Sequence, residues 1–226
     1  MRSKGLFLVL AMVATNAAAQ KGVQVGVKII PSWAWFMNDS DEGNATSGRG
    51  FGCGANYHWG DGLGVGIDLI WGTETQVFDP GNGEWTFERS VFKLPLLLHF
   101  NSPSDEVVPF VGYVGIERVG VRDVAVTGPG GIDPEGVDLV DANGNASVKF
   151  RSSEVYHSSD FGAVLGVGPG WNINKHFQLS AIIRAEYMFH DPENKDDGTG
   201  KVLWQQRGRT RLVTLGFDFG LQYIIR

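Results

Sequence analysis

The chain carries one cysteine, Cys53, so no internal disulfide is available to it. Beyond its N-terminus it has no apolar run approaching the roughly 18 residues of a membrane-spanning helix. Its mean hydropathy of −0.08 also argues against a helical membrane bundle. Basic residues are in deficit, 19 against 25 acids. No basic stripe exists to hold a phosphate backbone, which excludes nucleic-acid partners. Helical periodicity is missing too: apolar residues do not recur every third and fourth position. Glycine, by contrast, is abundant at 32 of 226 residues, about twice its usual share.

The first twenty residues, MRSKGLFLVLAMVATNAAAQ, are unlike the rest. A basic start (Arg2, Lys4), an apolar core from Leu6 to Val13 and the small residues Ala17-Ala18-Ala19 are the layout of a secretory signal peptide. Cleavage is expected after Ala19, leaving 20–226 as one domain. Loss of Arg2 and Lys4 leaves 17 basic residues against the same 25 acids.

The mature chain alternates with period two, the strand period. VQVGVKIIPSWAW sets Val23, Val25, Val27, Ile29, Trp33 and Trp35 against Gln24, Gly26, Lys28 and Ser32. GRGFGCGANYHWG sets Phe51, Cys53, Ala55, Tyr57 and Trp59 against glycines, Asn56 and His58, and GDG at 60–62 marks a tight turn. LGVGIDLIWGTETQV sets Leu63 to Trp71 against Gly64, Gly66, Asp68 and Glu74. VFKLPLLLHF has Phe92, Leu94, Leu96, Leu98 and Phe100 on one side, with Lys93, Pro95 and His99 on the other. PFVGYVGIERVGVRDV alternates through Ile116 and is expected to slip by one residue at Glu117-Arg118. A bulge there would let Val119 and Val121 carry the apolar face onward. DFGAVLGVGPGWNI, FQLSAIIRAEYMFH and RLVTLGFDFGLQYIIR complete eight strands.

Strands of this length suit a bilayer, which needs about 9–11 residues per strand. Short connections at 60–62, 101–107 and 173–176 alternate with mostly longer polar ones near 37–48, 79–84, 127–157 and 191–207. Short periplasmic turns and longer external loops have this arrangement. The apolar face is then expected to meet lipid. The other face, with Lys28, Asp68, Glu74, Lys93, Glu117, Arg184, Glu186 and Asp218, is expected to form a lumen charge network. Aromatic residues gather at both strand ends: Trp33, Trp35, Trp71 and Tyr187 at one, Tyr57, Trp59, Trp171 and Tyr223 at the other. Two such girdles match the two interfaces of a bilayer. The fold expected is all-β, an eight-stranded antiparallel up-and-down transmembrane barrel of OmpA/OmpX-like size.

Other motifs have simpler readings. GVGPG (Gly166–Gly170) lacks the following helix that a dinucleotide loop needs. Ser180, Glu186 and His190 are expected to share the inward face of one strand, but ten residues separate Ser180 from His190, about 33 Å, too far for a triad. Asp133, Glu135, Asp138, Asp141, Asn143 and Asn145 make an oxygen-rich segment, read as a solvated loop or a weak calcium site. EF-hand spacing is not met. Cys53 should face lipid as inert packing. No cofactor or metal is expected.

On the stretches KLPLLLHF, PFVGYVGIE, DFGAVLGVGPGWNINKHFQLSAIIRAEY and LGFDFGLQYIIR, the sequence resembles the small outer-membrane proteins of the "outer membrane protein beta-barrel domain" or PorT-like family of Bacteroidetes. The resemblance implies an eight-stranded barrel in a Gram-negative outer membrane and implies no single function. The last strand also resembles the signal read by the barrel-assembly machinery, through Asp218, Gly220, Tyr223 and Ile225, although the chain ends on Ile225-Arg226 rather than on an aromatic residue. The expected partners are outer-membrane lipid, the assembly machinery and a surface ligand or secretion partner. The expected role is a non-catalytic scaffold displaying four external loops. A narrow porin and a lipid-modifying enzyme are the alternatives.

Overall fold

Alternation of a large apolar residue with glycine or a polar residue makes each segment a two-faced strand, and closing the sheet on itself leaves no unpaired edge. The computed structural model describes residues 22–37, 45–60, 62–78, 84–102, 108–129, 145–151, 155–196 and 208–225. Nine strands lie within them: β1 (Gly22–Met37), β2 (Thr46–Gly60), β3 (Leu63–Phe78), β4 (Trp85–Asn101), β5 (Phe110–Pro129), β6 (Asn145–Arg151), β7 (Ser159–Asn172), β8 (Phe177–Met188) and β9 (Arg211–Ile225). Every pairing is antiparallel. Eight of the strands close a barrel, in which β4 joins β5, β5 joins β7, and β9 returns to β1. β6 stands outside the closure and pairs with the far end of β5, Asp123 to Pro129.

Barrel register follows from the ladders. Val119 faces Lys93, which leads in turn through Ile70, Gly52, Lys28, Gly220, Ser180 and Gly170. Gly170 donates its backbone N–H to Pro109, ten residues before Val119. Eight strands with that stagger tilt about 40° from the barrel axis. Gly22 at the start of β1 and Ile225 at the end of β9 lie at one end of the barrel, the terminal end, with the end of β2, the start of β3, the end of β4, the start of β5 and the 173–176 turn. Gly62, with φ 77, lies between β2 and β3 in a conformation that disfavours other residues.

Outward positions carry the apolar face. Val27, Ile29, Phe51, Ile116 and Ile183 are all more than half exposed to the barrel's surroundings. Cys53 is also exposed on this face.

Three sequence expectations need correction. The register does not slip at Glu117-Arg118: Glu117 is buried, Arg118 is exposed, and Val119 and Val121 point inward. The irregularity between β4 and β5 lies higher, where Ser90 pairs with Asp123 and Val91 with Val121, leaving Arg122 as the extra residue. The inner positions beyond Glu117 are apolar because they join a plug, described below. The 127–157 connection also contains β6 rather than being wholly loop. His190 lies beyond the end of β8, with its side chain 67% exposed, so it does not share the inward face of Ser180 and Glu186. The leader at 1–19 and the acidic positions 133, 135, 138 and 141 lie outside the described residues.

Candidate functional site

The lumen is the candidate site. The charge network draws side chains from β1, β3, β4, β5, β8 and β9; β2 presents glycines with Asn56 and His58, and β7 presents glycines with Val164 and, at its far end, Asp160. These glycines make room. A Cβ on Gly54 would collide with Asp68 Oδ1, and one on Gly166 would collide with the hydroxyl edge of the Tyr113 ring. Long polar residues on one wall thus reach across to bare backbone on the other.

Lys28 Nζ lies 2.7 Å from Asp68 Oδ2 and 3.1 Å from Asp218 Oδ2. Tyr113 donates its hydroxyl to Asp218 Oδ2 at 3.1 Å and accepts from Arg184 Nη1 at 3.3 Å. Arg184 also donates from Nη2 to Glu117 Oε2 at 3.0 Å and from Nε to Glu186 Oε1 at 2.5 Å. Lys93 joins Glu186 to Glu74, lying 2.6 Å from Glu74 Oε1. Glu74 accepts a further bond from Arg89 Nε at 2.9 Å. All eight residues singled out in the sequence therefore lie in one chain of contacts, together with Arg89 and Tyr113. Tyr113 occupies an inward position flanked by Gly112 and small neighbours. Arg89 lies in the strand extension that precedes KLPLLLHF. Neither shows itself without the register.

Such a network matches charge to charge because an unpaired ion in a narrow interior is costly. Four cations, Lys28, Arg89, Lys93 and Arg184, face five carboxylates, Asp68, Glu74, Glu117, Glu186 and Asp218.

Around Arg89 and above it the interior becomes largely apolar. Phe36, Phe87, Val119, Val121, Val124, Tyr156, Met188 and Leu212 form one buried cluster. The Arg89 guanidinium stands 4.8 Å from the Phe36 ring centroid and 5.5 Å from that of Tyr156, close enough for cation–π attraction. Tyr156, from the segment between β6 and β7, is fully buried in this mouth. Its hydroxyl donates to Gln76 Oε1 at 2.5 Å, and Gln76 Nε2 donates to Glu193 Oε1 at 2.8 Å. Thr210 donates to Glu193 Oε2 at 2.6 Å, and Lys195 pairs with both Asp191 and Glu193.

Toward the terminal end, His58 and His99 meet with ring centroids 5.8 Å apart. Asn56 Oδ1 and both ring nitrogens of His58 are buried and find no partner among the described residues. Two internal voids hold about 20 and 10 Å³. The first is lined by Glu74, Lys93, Arg184 and Glu186, the second by Lys28, Asp68, His99 and Asp218. Each has room for about one water molecule.

The girdle residues lie on the outer surface. Trp33, Tyr57, Trp59, Trp171 and Tyr223 are exposed, and Trp35, Trp71 and Tyr187 are partly so. The tilt makes Trp33, Trp71 and Tyr187 level with one another to within about a residue. Tyr57 lies about 20 Å lower along the axis. Rings meet within each group, as in Phe51–Trp71 at 5.8 Å and Phe177–Tyr223 at 5.2 Å. Asp218 and Gly220 point inward from β9, whereas Tyr223 and Ile225 point outward.

Comparison with known proteins gives the same architecture. The model of the "outer membrane protein beta-barrel domain" family matches residues 5–220. No curated protein matches the sequence. Among solved structures, Neisserial surface protein A (NspA) superposes with a TM-score of 0.51 at 10% identity, over 92% of this chain and 99% of that one. OprG from Pseudomonas aeruginosa superposes with a TM-score of 0.46 at 13% identity, over 92% and 98%. Ail, the attachment invasion locus protein of Yersinia pestis, gives 0.42 at 12% identity, over 89% and 99%. The likeness to NspA is one of fold.

Proposed function

The chain belongs to the outer membrane protein beta-barrel domain family, and from that premise we propose that it is a non-conducting, non-catalytic scaffold of the Gram-negative outer membrane. Its terminal end faces the periplasm, and its opposite end displays four connections to the outside, for contact with a surface ligand, a partner protein or the envelope. A signal peptide cleaved after Ala19 delivers it, and the barrel-assembly machinery reads Asp218, Gly220, Tyr223 and Ile225. The KLPLLLHF and PFVGYVGIE strands favour the PorT-like branch of the family.

The observation that carries this reading is the filled lumen. From Lys28 to Arg89 the interior is crossed by paired charges, and beyond Arg89 it is stoppered by Tyr156 and its apolar neighbours. Among the described residues, voids of about 20 and 10 Å³ lie beside the paired charges, each with room for about one water molecule. Eight strands enclose only enough space for side chains. With the interior committed to structure, the surface left for recognition is the rim and its connections.

The test is conductance of the refolded mature chain in a planar bilayer, with insertion shown independently by a heat-modifiable gel shift. A silent bilayer is expected. Steady discrete steps would overturn the reading in favour of a narrow pore, with Lys93, Glu117, Arg184 and Glu186 as its selectivity residues.

A further inference from the structure

The interior at the terminal end holds a cluster that neither the charge network nor the plug uses. His58 on β2 pairs with Gly64 on β3, and Gly64 pairs with His99 on β4. All three positions face inward, and Gly64 has no side chain, so the two imidazoles meet over its backbone with ring centroids 5.8 Å apart. Asn56, two residues before His58, pairs with Gly66. A Cβ on Gly66 would collide with both Asn56 Oδ1 and His99 Nε2, and a Cβ on Gly64 with His58 Nδ1. Three side chains from β2 and β4 thus converge on a bare stretch of β3.

His58, His99 and Asn56 are only 1%, 4% and 7% exposed. Yet Asn56 Oδ1, His99 Nε2 and both ring nitrogens of His58 have no partner among the described residues, a costly state unless something satisfies them. Each neutral imidazole offers one lone pair, and Asn56 offers its carbonyl oxygen. Three acceptors are one more than a single water molecule can donate to, whereas one cation serves all three. Two imidazoles that share an ion at a metal–nitrogen distance of about 2.0–2.1 Å have ring centroids up to about 6 Å apart, and the observed spacing falls within that reach. The smaller lumen void touches both Asn56 and His99. Charge favours a cation as well. Lys28 borders the same void, but it is bracketed by Asp68 and Asp218, which leaves that trio with one negative charge in excess. Tyr113, the ladder neighbour of His99, gives its hydroxyl to Asp218. Gln24, Asn101 and Gln178 face the same end and are neutral. His58 lies two residues from the end of β2, so an ion entering at the terminal mouth reaches it before the charge network.

We propose that His58, His99 and Asn56 form a binding site for a divalent transition metal ion, reached from the terminal end. Two imidazole nitrogens and one amide oxygen hold the ion, and water completes its coordination. Among the described residues no three His, Cys, Asp or Glu side chains come together as a metal site, so the amide oxygen is the third protein ligand. Imidazole ligands select the later first-row ions over calcium and magnesium, which take oxygen ligands. Within that row copper(II) binds most tightly, ahead of nickel(II) and zinc(II). The inference goes beyond the scaffold reading and stands on the lumen geometry alone.

The test uses the full mature chain refolded in zwitterionic detergent micelles, where both mouths are open to solvent. His157, His176 and His190 are replaced by Gln, so that His58 and His99 are its only imidazoles. Copper(II) is titrated against a competing chelator and followed by electron paramagnetic resonance. One ion per chain with two imidazole nitrogens is expected, and a large excess of calcium or magnesium should not displace it. His58→Gln and His99→Gln should each lower the nitrogen count to one. Each should also weaken binding by about tenfold or more, at least what the loss of an outer-shell partner costs at other metal sites. Asn56→Asp keeps an oxygen, adds a charge and should tighten binding. The gel shift confirms that each variant is folded. No copper binding by the folded chain, an unchanged signal when both His58 and His99 are replaced, or displacement by calcium would overturn the proposal. Equally tight binding by the urea-unfolded chain would overturn it too, because a built site would then add nothing to two free histidines.

Discussion

Arg184 on β8 and Glu117 on β5 meet across the lumen at 3.0 Å, with side chains exposed to 1% and 0%. They are 67 residues apart in the chain. Arg184 also holds Glu186 and Tyr113, which makes it the most connected cation of the interior.

Replacing Arg184 with Met should therefore strip a partner from two buried carboxylates at once. The expected loss is about 3–5 kcal/mol in urea unfolding from lipid vesicles. Pairing R184M with Glu117→Gln should recover part of it, because the second change removes a stranded charge. A double variant whose loss is the sum of the two single losses would mean that the Arg184–Glu117 contact contributes nothing.

Depth within the bilayer gives a second expectation. Phe219 points outward near the middle of the apolar band, and Val213 points outward close to the external girdle. Phe219→Arg should cost about 2–4 kcal/mol, and Val213→Arg about 0–1 kcal/mol. Equal costs on folding into lipid would contradict the register-derived heights.

Cys53 supplies a chemical reading of the same face. It is exposed on the outer surface, about 10 Å below the external girdle. A water-soluble maleimide should fail to label it in lipid vesicles and should label it in urea. A lipid-soluble thiol reagent should reach it in both. Rapid labelling of the folded protein by the water-soluble reagent would place Cys53 outside the membrane.

Tyr156 closes the mouth. Tyr156→Phe removes the hydroxyl that Gln76 accepts, and should cost about 1 kcal/mol. Tyr156→Ala also empties the apolar cluster beneath and should cost about 3–5 kcal/mol, by analogy with other large aromatic truncations. The bilayer should stay silent in both variants, because the paired charges from Lys28 to Arg89 remain. Channel activity in Tyr156→Ala would locate the barrier in the plug alone.

Much of the architecture was legible in advance. Period-two alternation, long strands and unequal connections carry the barrel, since each strand must bury one face and hide its backbone bonds. The lumen face was legible at Lys28, Asp68, Lys93 and Asp218 for the same reason: a charge in the middle of a strand whose alternate residues are apolar points away from the lipid. Val119 and Val121 were misread because alternation reports that two faces differ, not which solvent each meets. An apolar inner plug and an apolar lipid face look alike in one dimension. Which carboxylate Lys93 meets, whether Tyr113 lies over Gly166, and where Tyr156 enters depend on the ten-residue stagger around the barrel. That stagger is a sum over eight pairings between segments distant in the chain, so it exists only once the sheet has closed. By itself the sequence determined the strands and their two faces. Closure alone decided the partners and the filled lumen.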